Sequence, residues 1–406
     1  MKPAFSAPAS DTALPVTPPP VPAGLHDVLC LADFEPKARR RLPRPIYGYI
    51  AGAAEDNQSR DDNRRAFEEY GFTTRVLVDV SQRSQAVELW GERFSSPFGI
   101  APMGINALST YRGDVVLARA AQQAGIASIM SGSSLIPLET VAAAAPRTWF
   151  QAYLPGDLAR IEALVDRVAR AGYRTLVLTV DIPVSANREN NVRTGFTTPL
   201  RPGLRLAWDG LTRPRWLAGT FARTLLRHGM PHFENSFATR GAPILSANVM
   251  RDFSARDHLS WRHLEQIRRQ WQGRLVVKGI LSVADAVAAR ERGVDGVILS
   301  NHGGRQLDGA VSPMRVLGPV VDAVGELPVM IDSGFRRGSD VLKALALGAR
   351  MVFVGRPFNY AAAVAGEAGV AHAIGLLRAE VDRNLAMLGV DSCAGLSREC
   401  LISKTR

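Results

Sequence analysis

Cysteine is scarce in this sequence. Cys30, Cys393 and Cys400 are its three cysteines in 406 residues, an odd number at spacings that match neither a disulfide framework nor a metal cage, so idle thiols in a reducing compartment and no metal centre are expected. Acidic residues are also in deficit, 38 Asp and Glu against 49 Lys and Arg, which leaves a formal charge of +11. Such an excess favours an anionic partner, whether nucleic acid, an acidic lipid surface or a small organic anion. The arginines are scattered and lack aromatic interleaving, so nucleic acid is the weakest of the three. No apolar run approaches the roughly 20 residues of a membrane-spanning helix. The N-terminus has no basic stretch followed by a long apolar core, and a soluble or peripheral cytoplasmic protein is expected. A GxGxxG turn after the first strand is missing too, which weakens a dinucleotide-binding fold.

What is present is ordinary globular material, 46% hydrophobic and 21% charged, enough for one large barrel or two medium domains. Residues 1–24 are rich in Pro, Ala, Ser and Thr without apolar periodicity and are expected to form a disordered tail. The segment 25–406 is expected to fold as one domain. Its first part reads as helical, with PRPIYGYIAGAAEDNQSRDDN giving a helix, a small-residue turn and a second helix start.

After residue 90, eight short apolar runs alternate with helical stretches: 97–102, 126–130, 148–154, 174–181, 274–280, 295–300, 327–332 and 351–355. Helices such as GDVVLARAAQQAG and SDVLKALALG lie between them, each closing on a glycine. The alternation predicts an α/β fold with a parallel sheet. Eight units favour a closed (β/α)8 TIM barrel with an N-terminal helical segment. Roughly 90 residues separate the fourth and fifth runs, far more than a crossover helix needs, so 194–250 is read as an insertion on the active face. Within it, Pro214 starts and Gly229 ends a helix that repeats Leu217, Phe221 and Leu225 every four residues among Arg215, Arg223 and Arg227. That stripe suits either an anionic membrane surface or the protein's own barrel.

In such a barrel the reacting groups close the strands. The runs end in Gln151 and Tyr153, Thr179 and Asp181, Lys278, Ser300 with Asn301 and His302, and Asp332. After the last two runs, Ser333, Gly334, Arg336 and Gly338 and then Gly355 and Arg356 suit a phosphate, because glycines admit backbone amides and arginine supplies a bidentate donor. Lys278 ends an apolar run, where an amine needs an anionic or electron-rich neighbour. A Schiff-base lysine and a flavin-facing lysine both satisfy that need. His302 follows a strand end with Arg305 three positions on and Asp181 available as partner, a set suited to a catalytic base. Arg188 and Arg305 are then able to clamp a carboxylate.

From about Leu42 to Ile402 the sequence resembles the FMN-dependent 2-hydroxy-acid oxidase and dehydrogenase family. The resemblance rests on SNHGGRQLD, joined in order by YGYIAGAAEDN, APMGINAL, WFQAYL, LTVDIP, NREN, VVKGI, DSGFRRGSDVLKALALGA and VGRP. It implies FMN as cofactor and His302 as the base that takes a proton while a 2-hydroxy acid is oxidised to the 2-oxo acid. It further implies that Tyr49, Tyr153, Arg188 and Arg305 bind the acid and that Asp181 supports His302. Ala101, Pro102, Met103 and Gly104, with Ser131, Gln151 and Thr179, would contact the flavin ring, with Lys278 near its N1 side and Asp332, Arg336, Gly355 and Arg356 holding the ribityl phosphate.

Gly104 and Ser133 replace the alanine and tryptophan common in glycolate oxidases, which implies a roomier pocket and dehydrogenase rather than oxidase behaviour. The insertion and DGAVSPM resemble the bacterial mandelate and lactate dehydrogenase branch, implying contact between 205–240 and the inner face of the cell membrane, with a quinone as acceptor. Members are often tetramers. An oxidase releasing hydrogen peroxide and a non-catalytic flavin- or phosphate-binding barrel stand as alternatives. No haem-binding domain is seen.

Overall fold

The computed structural model describes residues 21–197, 203–246 and 256–404. The tail expected over 1–24 lies almost wholly outside the described residues, as does part of the insertion.

Each of the eight apolar runs coincides with one barrel strand, the second strand passing the end of its run by one residue: β1 (Phe98–Ile100), β2 (Ile129–Ser131), β3 (Trp149–Ala152), β4 (Thr175–Thr179), β5 (Arg274–Ile280), β6 (Gly296–Leu299), β7 (Val329–Ile331) and β8 (Met351–Val354). They pair in parallel around one sheet, from β2 through β8 back to β1. The ring closes where Ile100 N–H donates to the Ala127 carbonyl at 2.9 Å and Ile100 bridges Ser128. The alternation of period two divides the side chains. Ile129, Trp149, Val177, Val276, Ile298, Met330 and Phe353 fill the ring, while Phe150, Leu176, Val277, Leu299 and Ile331 face the helices.

Two residues beyond each inward filler, the same side of the strand reaches the C-terminal rim. Ser131, Gln151, Thr179, Lys278, Ser300, Asp332 and Gly355 occupy those positions, and Ala101 does so for β1. Polar side chains there are buried yet do not belong to the apolar core.

The opposite end is sealed by a hairpin, Val87–Leu89 against Glu92–Phe94. Leu89 and Phe94 join the interior cluster, and Trp90 packs on Trp149 with centroids 5.5 Å apart. The two turn residues, Trp90 and Gly91, both have positive φ, 54° and 76°, as a tight two-residue hairpin requires.

Before the barrel, helices Phe34–Arg41, Arg44–Ala51 and Gln58–Glu68 wrap toward the C-terminal rim. The last of these backs two rim loops. Asn63 and Asn301 exchange reciprocal amide hydrogen bonds at 2.8 Å, and Arg64 donates to the Gly334 carbonyl.

The insertion follows β4 as helix Glu189–Thr194, helix Leu204–Leu211, and a helical run from Pro214 to His228 whose middle, Leu217–Ala222, is π-helical. Pro214 opens that run and Gly229 closes it with φ 73°. The stripe of Leu217 and Phe221 packs on the barrel core rather than facing outward: Trp216 stacks on Phe221 and donates its indole N–H to the Leu108 carbonyl at 2.7 Å. The most exposed apolar residues of the insertion are instead Leu204, Trp208, Leu211 and Leu226. Among the described residues, one helix, Arg356–Leu388, is long and apolar enough to cross a membrane by composition, but it breaks at Ala365 and Gly366 and buries Phe358, Ile374, Leu377, Val381 and Leu385 in the core.

Candidate active site

A cavity of about 840 Å³ opens at the C-terminal rim, a size suited to a cofactor together with a small substrate. Its floor is made from the strand ends. Lys278 is 3% exposed; its ammonium ion-pairs with Asp332 at 2.9 Å and donates to Ser300 Oγ at 2.6 Å. That oxygen accepts from His302 N–H at 3.0 Å, so one hydroxyl fixes both the lysine and the start of the histidine loop.

The chain turns sharply at that loop. His302, Gly303 and Gly304 all have positive φ, 58°, 68° and 75°, a strained conformation for the histidine. A Cβ at Gly304 would lie 2.5 Å from the backbone nitrogen of Arg60, so the loop tolerates only glycine where it meets the N-terminal helix. Gly334 repeats the device, with φ 89° and a would-be Cβ 2.4 Å from the Asn63 carbonyl.

The resulting turn aims the imidazole inward. Nδ1 of His302 faces both carboxylate oxygens of Asp181, at 3.1 and 3.2 Å, while Nε2 lies 3.5 Å from the Tyr153 hydroxyl. A carboxylate at Nδ1 keeps the proton there and leaves the Nε2 lone pair toward the cavity. Burial pushes the His302 pKa below its ordinary 6.5, and Lys278 and Arg188 push the same way against Asp181. Burial alone would raise Asp181, but the charge and hydrogen bond of His302, with Lys278 beyond, hold it below the ordinary carboxylate value. The pair therefore rests as carboxylate and neutral imidazole.

Two guanidinium groups flank the pair. Arg305 donates to the carbonyls of Tyr49 and Gly52 at 2.6 and 2.8 Å and lies over the Tyr49 ring. Burial, followed by repulsion from Arg188, lowers its pKa to about 10. Arg188 donates to the Arg305 carbonyl and to Gln306 Oε1 at 3.0 and 2.5 Å. Gln306 in turn donates to the Asp181 carbonyl at 3.0 Å, tying the arginine to the residue that pairs with His302. Their mutual repulsion favours an anion beside them, and both border the cavity.

Farther along the rim, Ala101, Pro102, Met103, Gly104, Ser333, Gly334, Arg336, Gly355 and Arg356 line the same cavity. The Arg356 guanidinium is engaged by three carbonyls, those of Ile50, Gly52 and Gly303, and burial lowers its pKa to about 9. Its contribution to an anion is therefore backbone at the start of helix Arg356–Leu388 and net charge, not a free guanidinium fork. Half-buried Arg336 uses one N–H on the Phe335 carbonyl.

Sequence reasoning overlooked Asn63, Arg64, Gln306 and Arg256. The first three act by bracing loops, and Asn63 and Gln306 sit within stretches already singled out; Arg256, in the cavity wall over the Tyr153 ring, has no motif around it.

Two buried polar atoms test what the floor is built to hold. Gln151 Nε2 and Thr179 Oγ1 are inaccessible and meet no hydrogen-bonding partner among the described residues, although Gln151 Oε1 accepts from Ser131 Oγ at 3.1 Å. Side by side at the rim of β3 and β4, they call for a ligand edge carrying acceptors and a donor, as a flavin's pyrimidine ring does. A lysine beyond them and an arginine-bordered, glycine-lined recess at β7 and β8 fit the rest of a flavin mononucleotide.

The family model described as FMN-dependent dehydrogenase matches residues 38–403. The chain is 41% identical over 373 residues to (S)-mandelate dehydrogenase of Pseudomonas putida, covering 91% of this chain and 92% of that protein. It is 38% identical to L-lactate dehydrogenase of Ectopseudomonas mendocina, covering 92% and 98%. Among solved structures, it superposes on a monotopic membrane protein, (S)-mandelate dehydrogenase, with TM-score 0.86 and 40% identity over 93% of this chain and 99% of that one. A mandelate oxidase bound to benzoylformic acid gives TM-score 0.76 and 34% identity, covering 93% and 98%. With the barrel, the basic rim and the flavin-shaped floor all present, the chain belongs to the FMN-dependent dehydrogenase family.

Proposed function

We propose that the protein oxidises an (S)-2-hydroxy acid to the 2-oxo acid, and that His302 is the catalytic base. The observation that carries this reading is the Asp181–His302 pair, which leaves a neutral Nε2 in a cavity bordered by Arg188 and Arg305. Bound FMN supplies the two-electron acceptor. The two arginines and Tyr49 hold the substrate carboxylate, the hydroxyl lies between Tyr153 and His302, and Nε2 takes the hydroxyl proton. Asp181 then stabilises the imidazolium. Gln151, Thr179, Ser131, Lys278 and the backbone of 101–104 would hold the flavin ring, the lysine supplying positive charge to it, and Asp332, Ser333, Gly334, Arg336, Gly355 and the backbone of Arg356 would hold its ribityl phosphate.

Gly104 lies against Ser133 and the Tyr49 hydroxyl, where an added Cβ would come within 3.1 Å of each, and the aromatic rings of Phe196 and Phe233 line the same cavity. An aryl acid of the mandelate kind fits it better than lactate does. The mandelate and lactate dehydrogenases named above support this substrate class, and the monotopic relative supports peripheral attachment to a membrane. Attachment through Leu204, Trp208 and Leu211 at the anionic inner face, with a quinone as acceptor and a homotetramer as the assembly, completes the reading. Anaerobic mixing of the yellow holoenzyme with both enantiomers of lactate, glycolate and mandelate tests it. (S)-Mandelate is expected to bleach the flavin; failure of every acid to do so ends the proposal. Release of hydrogen peroxide in air, at the rate of flavin turnover, marks an oxidase instead.

A further inference from the structure

The barrel alone does not close the cavity. After Gly229 the insertion folds back on itself, with Phe233 N–H donating to the Ala242 carbonyl at 3.2 Å, Gly241 N–H to that of Phe233 at 2.9 Å and Ile244 N–H to that of Pro231 at 3.0 Å. A Cβ at Gly241 would lie 2.3 Å from the Phe233 carbonyl oxygen, so the turn has room for glycine alone. Two buried side chains of this turn, Phe233 and Ile244, line the cavity. Whatever fastens the turn to the barrel therefore decides where that wall stands.

Asn235 is that fastening. It is 1% exposed and directs its whole amide at the loop that follows β2: Oδ1 accepts from Leu138 N–H at 2.9 Å, and Nδ2 donates to the Ile136 and Ser134 carbonyls at 2.8 and 3.4 Å. Glu234 N–H reaches the same Ser134 carbonyl at 3.2 Å. Helix Leu138–Ala144 begins after Pro137, which offers no side-chain cap, so Asn235 caps it from 97 positions along the chain. From the other side Arg167, on helix Leu158–Arg170, donates to the Glu234 and Phe237 carbonyls at 2.7 and 3.0 Å and ion-pairs with Glu139 of the capped helix.

The clamped loop carries Ser133. Its carbonyl accepts from Ile105 N–H at 3.1 Å, and its Cβ and the Tyr49 hydroxyl both lie 3.1 Å from where a Cβ on Gly104 would stand. Ser133 thus borders the cavity next to Tyr49. Because the Glu234–Ser134 bond joins the residues that follow Phe233 and Ser133, loop and turn form one continuous wall. A buried amide with three partners holds such a wall strictly, since each bond broken leaves an unsatisfied group.

We propose that Asn235 is a positioning residue for substrate selection: acting through Ser133 and Phe233, it fixes the width of the cavity beside Tyr49 and so favours aryl over small 2-hydroxy acids. This rests on the reading of the cavity as a 2-hydroxy-acid site. An aryl group reaches the wall and gains from its being fixed, whereas the methyl group of lactate buries too little surface there to gain much. Two measurements on the FMN-loaded full chain test it. In the first, hydrogen exchange read by mass spectrometry follows the wild type with saturating phenylacetate or acetate, which lack the reacting hydroxyl. Phenylacetate is expected to slow exchange in residues 132–139 and 231–238 together, by about 5-fold or more relative to acetate. Equal protection by the two acids overturns the proposal.

In the second, anaerobic flavin bleaching compares (S)-mandelate with (S)-lactate. In Asn235→Ala the ratio of kcat/KM for mandelate over lactate is expected to fall roughly 10-fold, through KM for mandelate. An unchanged ratio overturns the proposal, and so does an equal loss on both acids, which would make Asn235 a support of the fold alone. Should that variant not retain FMN, Phe233→Ala, which leaves the clamp in place, is expected to show the same mandelate-specific loss, and its absence is equally decisive. If neither acid bleaches the wild-type flavin, the 2-hydroxy-acid reading falls while the exchange measurement still decides whether an aryl group meets this wall.

Discussion

The proposed chemistry concentrates in a histidine held in a left-handed conformation. Only the surrounding bonds make that position habitable: Ser300 Oγ on its N–H, Asp181 on its ring, and two glycines after it. Replacing His302 with Ala should leave a folded, yellow protein whose reduction by substrate slows by about 10²- to 10⁴-fold; rapid-mixing spectroscopy reads this directly, and unchanged reduction removes the assignment. The direction of the His302 pKa sets a pH signature. Because its pKa lies below 6.5, the base is neutral through the physiological range. The kcat/KM for flavin reduction should stay level down to about pH 6.5 and fall only below it. Asp181→Asn takes away the counter-charge, so kcat should drop on the order of 10²-fold with little change in FMN binding. An acid limb above pH 6.5 in the wild type would contradict the geometry.

At the scale of elements, strand ends carry the proposed reacting groups and neighbouring helices brace them. Helix Gly113–Gln123 shows the cost of a buried polar contact. Its first-turn Asp114 is 4% exposed and accepts from Asn106 Nδ2 at 2.9 Å. Asn106 in turn accepts from Asn359, on the helix that follows β8. Burial outweighs these hydrogen bonds and raises the Asp114 pKa from 3.8 to about 6. A raised carboxyl stabilises the fold fully below its unfolded pKa, and that contribution is lost as the pH climbs through the folded one. About 3 kcal/mol should therefore disappear between roughly pH 4 and pH 6. Asp114→Asn should flatten that slope and raise the midpoint of urea unfolding at pH 8. An identical slope in the variant would show that Asp114 does not carry it.

The hairpin below the barrel is legible only in hindsight. Its turn places a tryptophan at positive φ, where Asn or Asp would have been the signal, so VELWGERF has no hairpin mark that local chemistry can read.

At the scale of the whole molecule, the charge of +11 and the exposed apolar side chains of the insertion belong together. Leu204, Trp208 and Leu211 are 92%, 67% and 64% exposed and share one short helix. Changing all three to Ser should release the protein from anionic vesicles in a sedimentation assay while dye-linked turnover persists, because none of them touches the cavity. Added salt should weaken binding of the wild type only in part, since apolar burial survives screening. Continued sedimentation of the triple variant would exclude this face.

The sequence by itself determined the eight strands, their order and the polar residues that close them. Alternation of period two and glycine-ended helices are local signals, and SNHGGRQLD places base and arginine within a few residues. Tertiary structure decided what depends on distant chain segments meeting. It turned the Leu217–Phe221 stripe inward because Trp216 finds the Leu108 carbonyl on the barrel, and so moved the exposed apolar face to Leu204–Leu211. It committed the Arg356 guanidinium to carbonyls more than 50 residues away. It also brought Arg256, on a stretch without any motif, over the tyrosine beside the base. A side chain's neighbours across the fold are fixed by packing, and packing leaves no periodic trace in the linear order of residues.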